Sequence, residues 1–196
     1  RIAFVAADTP PAREALADSG LQLSPELRPR TAIVSATSSP GQVTQDDQYH
    51  RLYQEGKDRL HPLTVPRVMA NAGASQLATE LGVVGPVFTL STACSSANHA
   101  IGLAFWMVRQ GMAEVALAGG SDAPFCYGNL KAWEAMRVVD PNRCRPFSRN
   151  RLGMSLGEAG ATLLLETHDS ALQRGARIYA EIVGFGMTAD AYQLTR

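Results

Sequence analysis

Cys94 has the most suggestive surroundings of any side chain that carries chemistry. It stands in "VFTLSTACSSANHAIGLA", residues 87–104, between a β-branched run and an apolar run with helical spacing. A thiol where a strand gives way to a helix lies beside N–H groups without intrahelical partners and the positive end of the helix dipole. Both favour the thiolate over a thiol whose usual pKa is about 8.5. The same N–H groups can hold an oxyanion, and the small neighbours Ala93, Ser95, Ser96 and Ala97 let an extended acyl thioester reach the sulfur. That combination is the logic of covalent acyl transfer. Free cysteine is also among the most often buried residue types, so on local grounds Cys94 reads either as a nucleophile or as a small core residue. His99 is no base for it, because five helical steps turn its side chain by about 140° away; its role is structural.

Other groups point to less chemistry. Cys94, Cys126 and Cys144 are odd in number and lack zinc-like spacing, which argues against a disulfide framework and a structural metal, and fits a reducing cytoplasm. Asp122 and Glu158 each border a strand among glycines, where turn or network roles outweigh acid–base chemistry. "GFGMTA", residues 184–189, nearly satisfies a dinucleotide fingerprint, but the chain ends before the acidic residue about 20 positions on that such a site needs. Basic and acidic residues balance at 18 each, and no basic block is interleaved with aromatics, so neither nucleic acid nor an anionic membrane is indicated. No apolar run reaches the roughly 18 residues of a membrane span. The first residue is not Met and no signal-peptide layout follows it, so the start reads as the interior of a longer protein.

The elements that must position these groups alternate between strand and helix. A short helix is expected over 12–18 before Gly20, and a buried strand over 31–37 before the turn signal "SSPG". The polar stretch 38–62 reads as a long loop or lid with at most a short helix near 47–55. Pro66 and Gly82 bracket a helix over 66–80. A strand follows over 86–92, then a helix whose residues Ala97, Ala100, Ile101, Ala104, Phe105 and Val108 form one apolar stripe; few charges on its other faces imply enclosure by protein. A buried strand is expected over 113–123, a helix over 129–138, strands over 160–166 and 177–186, and a helix near 168–174. The class is α/β, with a mixed, mainly parallel sheet and helices on both faces.

"TACSSANHAIG" resembles the nucleophile segment of the elongating β-ketoacyl-acyl-carrier-protein synthases, condensing enzymes of the thiolase-like fold. "VALAGGSDA", "RPFSRNRLGMSLGEAGATLLLE" and "GARIYAEIVGFGMTADAYQLT" resemble the segments that follow in that family. The likeness spans essentially residues 1–196 and implies the N-terminal half of such a domain, its first strand and C-terminal half lying outside the chain. It implies that Cys94 is the acyl-accepting nucleophile and that its N–H forms one half of an oxyanion hole. Trp133, where the family commonly has Phe, would line the acyl pocket together with Ala93. Leu152 and Ala159 depart from the family's Asp and Gly in scaffold positions.

The implied reaction needs no resident cofactor, because its substrates ride on the phosphopantetheine of an acyl carrier protein. It does need two histidines and a supporting lysine from the C-terminal half. His50, His61, His99 and His168 are not in those motifs, so the chain alone is expected to catalyse no condensation and to expose apolar surface. Arg137, Arg143, Arg145, Arg149 and Arg151 are either a solvated loop or a docking surface for the acidic carrier. The family's dimers imply a homodimer, or a heterodimer with a related subunit, through "PVFTLST". A non-catalytic partner of the chain-length-factor kind is the alternative; such subunits usually replace the nucleophile, often with Gln, and here Cys94 is present. The "RPFSRNRLGMSLGEAG" segment disfavours another thioester-using thiolase relative.

Overall fold

The computed structural model describes residues 2–7 and 11–192; the last residues of the "GARIYAEIVGFGMTADAYQLT" segment, from 193 on, lie outside them. Its strands are β1 (Ile2–Ala7), β2 (Thr31–Ala36), β3 (Val87–Leu90), β4 (Val115–Asp122), β5 (Ala159–Thr167) and β6 (Ala180–Ile182). The helices are α1 (Pro11–Ser19), α2 (Gln42–Tyr53), α3 (Thr64–Val68), α4 (Ala72–Leu81), α5 (Ser96–Arg109), α6 (Tyr127–Ala135) and α7 (His168–Gln173).

The strands form one mixed sheet in the order β3-β2-β4-β5-β1-β6. β2 pairs in parallel with β3 and β4, while β4 with β5, β5 with β1 and β1 with β6 are antiparallel. Four of the six described strands, β1 to β4, therefore point one way.

Alternation along the strands sorts the core into two layers. On one face Ala32, Val34, Ala36, Ala116, Ala118 and Leu165 pack under Ala100, Ala104, Phe105, Met107 and Val108 of α5. On the other, Ile33, Val115, Leu117 and Leu164 meet Ala12 and Ala15 of α1, Ala74 of α4 and Ala171 of α7. Full burial of each large apolar side chain is worth roughly 1.5–3 kcal/mol, so α5 is held mainly by its stripe. The sheet face beneath it is built of small residues, which lets the helix come close. A Cβ on Gly120 would stand 3.2 Å from the Ala97 Cβ and 3.3 Å from the Ala36 Cβ. The first turn of α5 is thereby pinned to the C-terminal ends of β2 and β4. A buried ion pair ties the opposite layer. Arg174 Nε donates to Glu166 Oε1 at 2.9 Å and its Nη1 to the Ser19 carbonyl, while Ser170 Oγ donates to Glu166 Oε2 at 2.7 Å.

Four expectations need correction. β1 precedes the first expected strand, and its place in the sheet comes from antiparallel pairing with β5 and β6, more than 150 residues on. The stretch 38–62 is not mainly a loop, because α2 occupies twelve residues of it. Its polar sequence shows no apolar stripe; buried Gln48 supplies the tertiary anchor, its Oε1 accepting from His61 N–H at 2.7 Å and Thr64 Oγ1 at 3.4 Å. The expected helix 66–80 is two helices, broken at Met69, which is extended at φ −66°, ψ 136°. Asn71 is the N-cap of the second without a side-chain capping bond, its Nδ2 donating instead to Ser75 Oγ at 3.3 Å. The final strand is three residues rather than ten, because the chain beyond it crosses onto α5. There the Phe185 ring lies over Gly102, where a Cβ would come within 2.3 Å of it.

Candidate functional site

The elbow that presents Cys94 is made from small polar residues. Ala93 has φ 51°, in the left-handed region that an alanine occupies at a cost. Two bonds through one hydroxyl close the turn around it: Thr92 N–H donates to Ser96 Oγ at 2.7 Å, and Ser96 Oγ donates to the Ala93 carbonyl at 2.6 Å. Ser96 N–H also donates to that carbonyl, at 3.1 Å, and Ser95 Oγ donates to the Thr92 carbonyl at 2.8 Å. Ser96 is buried while Cys94 is exposed, so the sequence's alternative of a core cysteine is not what the fold makes of it. The bond from His99 N–H to the Ser95 carbonyl, at 3.0 Å, opens the regular ladder of α5. Ala97 and Asn98 thus stand at the positive end of the helix, next to the sulfur-bearing turn.

Cys94 and Ala93 line a depression of about 260 Å³ together with Ser96, Ala97, Thr37, Ser38, Gly120, Asp122 and Gly157. Its walls come from the end of β2, the end of β4, the elbow and the entry to β5. Asp122 organises one of them. Its carboxylate accepts from Thr37 Oγ1 at 2.7 Å, Ser38 N–H at 3.0 Å, Ser38 Oγ at 2.9 Å and Ser39 N–H at 2.9 Å. Partial burial pushes this carboxyl up; hydrogen bonds from Thr37, Ser38 and Ser39 outweigh it and hold the group below its ordinary value. The sequence marked Asp122 as a network acid and residues 38–41 only as a turn. Nothing local in "TSSPG" says that its donors would converge on a carboxylate 84 residues away.

The other sequence-marked residues fall elsewhere. Trp133 is half-buried on α6 and is not among the residues lining the depression. His99 packs edge-on against Phe185, with ring centroids 5.9 Å apart, and Phe185 does the same against Trp106 at 5.1 Å, in keeping with a structural role for the histidine. "GFGMTA" therefore forms no phosphate loop opening a helix; it is the segment that seats Phe185. Glu158 accepts from Phe125 N–H at 2.8 Å, a loop role. Arg145 reaches Asp140 at 3.4 Å, whereas Arg137, Arg143, Arg149 and Arg151 are exposed. Asp140 also accepts from Asn142 N–H at 2.8 Å and Arg143 N–H at 3.2 Å. Phe147, on a left-handed backbone in the same stretch, is fully exposed. Among the described residues no helix is long and apolar enough to cross a membrane.

Residues 10–171 match the family model described as "Beta-ketoacyl synthase, N-terminal domain". The chain is similar to Nodulation protein E of Rhizobium sp. (strain N33), 44% identical over 93% of this chain and 46% of that protein. It is 34% identical to 3-oxoacyl-[acyl-carrier-protein] synthase 2 of Staphylococcus aureus, over 94% of this chain and 47% of that one. Among solved structures, the ishigamide ketosynthase/chain length factor superposes with a TM-score of 0.86 at 31% identity, over 92% of this chain and 45% of that chain. The chain spans about half the length of each of these relatives.

Proposed function

The chain belongs to the β-ketoacyl synthase family, and from that premise we propose that it carries the nucleophile half of a decarboxylative condensing enzyme. In the first stage the Cys94 thiolate attacks the carbonyl carbon of an acyl thioester on carrier-protein phosphopantetheine. The carbon–sulfur bond to the carrier breaks, and the phosphopantetheine thiol leaves. In the second stage malonyl carrier protein loses CO2, and the resulting carbanion attacks the acyl-enzyme carbonyl. A carbon–carbon bond forms, the Cys94 thiolate departs, and the β-ketoacyl product stays on the carrier.

The observation that carries this reading is an exposed Cys94 on a strand-to-helix elbow, beside the positive end of α5, a helix whose inner face is buried. The small-residue elbow leaves the sulfur open to an acyl thioester, and the N–H groups at the start of a helix can hold a tetrahedral oxyanion. The Cys94 N–H is the proposed first donor to that oxyanion, and Ala93 and Trp133 are the proposed acyl-binding groups. The decarboxylation machinery is assigned to the remainder of the full-length protein, since none of His50, His61, His99 and His168 lines the Cys94 depression.

The proposed partners are the acyl carrier protein and a second subunit, identical or related. β3 lies at an edge of the sheet as the strand that leads into the elbow, which suits it to that interface. The three cysteines are free thiols, in keeping with a reducing compartment such as the cytoplasm. The exposed Arg149 and Arg151 suit an acidic carrier. Charge reversal at both should raise KM for carrier-bound thioesters and leave that for small thioesters unchanged; equal effects on the two would remove the assignment.

A non-catalytic subunit of the chain-length-factor kind is the second reading, prompted by the composition of the ishigamide complex. Full-length protein incubated with labelled acyl and malonyl carrier proteins separates the two. Formation of β-ketoacyl carrier protein with release of CO2, lost in Cys94→Ala, is the expected result; no product at any chain length, or full activity without the thiol, would overturn the enzymatic reading.

A further inference from the structure

The carboxylate of Asp122 has no part in the chemistry derived above, yet it lines the same depression as Cys94. β2 and β4 end side by side, with Ala36 opposite Gly120, so the residues that run past them, 37–39 and 121–122, leave the sheet together. Thr37 Oγ1, Ser38 N–H, Ser38 Oγ and Ser39 N–H all donate to Asp122, while Thr37 N–H reaches the Leu90 carbonyl at 3.3 Å. An ionised carboxylate is an acceptor only. It therefore suits a loop that presents two hydroxyls and two N–H groups from one side. The 2.7 Å contact from Thr37 Oγ1 is in the range of a charge-assisted bond. With these donors turned to Asp122, they are not turned to a bound acyl group.

We propose that Asp122 is a positioning residue: its carboxylate fixes the 37–39 loop, whose Thr37 and Ser38 form a wall of the Cys94 depression, and so sets how a chain bearing a reactive carbon approaches the sulfur. The proposal rests on the reading of Cys94 as the acyl acceptor. Its mechanical link is short. At Gly120, two residues before Asp122, an added Cβ would crowd both Ala36 and Ala97, so the wall and the elbow share one close-packed unit. The held-down acidity of Asp122 keeps the carboxylate ionised through the neutral range, and the wall fixed with it.

The test compares two alkylating probes of Cys94 in the full-length protein, iodoacetamide and an N-dodecyl iodoacetamide, in the parent, Asp122→Ala, Thr37→Val and the double variant. A wall out of place should alter reaction of the long probe and not of the small one. In Asp122→Ala the long-to-short rate ratio should shift at least about fivefold while the iodoacetamide rate stays within about twofold, as expected when a displaced wall misaligns one substrate class. Because Asp122 acts through the loop, the double variant should match Asp122→Ala within about twofold. An unchanged ratio, equal changes with both probes, or losses that multiply in the double variant would each overturn the proposal. Acyl capture by the parent protein from an octanoyl thioester is measured beside them. Its absence would reject the Cys94 reading, an outcome separate from the ratio that judges Asp122.

Discussion

Ala93 is where backbone strain and chemistry meet, and substitution there gives a worked prediction. The left-handed conformation at φ 51° costs an alanine roughly 1–2 kcal/mol relative to the ordinary helical region. Glycine would remove that cost but lose about 0.4–1 kcal/mol through its freer unfolded chain. Ala93→Gly should therefore leave stability unchanged or raise it by up to about 1.6 kcal/mol, and keep Cys94 in place, because both bonds that close the turn use the Ser96 hydroxyl and backbone atoms. Ala93→Val places a β-branched side chain in a region it rarely enters, and a further cost on the order of 1–3 kcal/mol is expected. The gap between the two variants, about 1–5 kcal/mol in favour of glycine, is readable from urea midpoints of the full-length protein. Acyl transfer to Cys94 should survive in the glycine variant and fall at least about tenfold in the valine variant, whose elbow must move or crowd the sulfur. If Ala93→Val is as stable as the parent and takes acyl groups at the parent rate, the strained-elbow account is wrong.

Two further outcomes follow from buried charge. Arg174→Met strands the fully buried Glu166 carboxylate and should cost about 3–5 kcal/mol, whereas replacing both partners by apolar residues should cost much less; equal losses would show that the pair is not coupled. The Asp140 carboxyl is held below its ordinary value by the Asn142 and Arg143 N–H groups and by Arg145, which together outweigh its burial. A depressed folded-state pKa gives stability that is complete above the unfolded value of about 3.9 and is lost as pH falls through the folded one. Asp140→Asn should therefore flatten the acid limb of a stability–pH curve, and an unchanged limb would remove Asp140 from the account.

The parts of the fold that were legible in the sequence are those with a strong period or a strong terminator. The stripe from Ala97 to Val108 located α5, and Gly82 located the end of α4, where it adopts the left-handed conformation. α2 was not legible, because its anchor is a buried glutamine bonded to residues 13 and 16 positions on, and a polar run has no periodic signature. The break at Met69 was hidden because Pro66 and Gly82 bracket the stretch as they would a single helix, and neither Gly nor Pro stands at 68–72. At the site, the strand-to-helix placement of Cys94 was readable, since the small residues and the helical stripe adjoin it in sequence. Its exposure and the left-handed Ala93 were not. The wall formed by Thr37 and Ser38 was also invisible, because it depends on β2 and β4 lying in register, a long-range fact that no local motif encodes.

The central claim is that Cys94 is the acyl acceptor, and one measurement meets it directly. Full-length protein is incubated with labelled acyl carrier protein of several chain lengths, quenched, digested and mapped by mass spectrometry. The account predicts a thioester adduct on the peptide bearing Cys94, absent in Cys94→Ala and absent from Cys126 and Cys144. No adduct at any chain length, or label on another residue that persists without the Cys94 thiol, would contradict it.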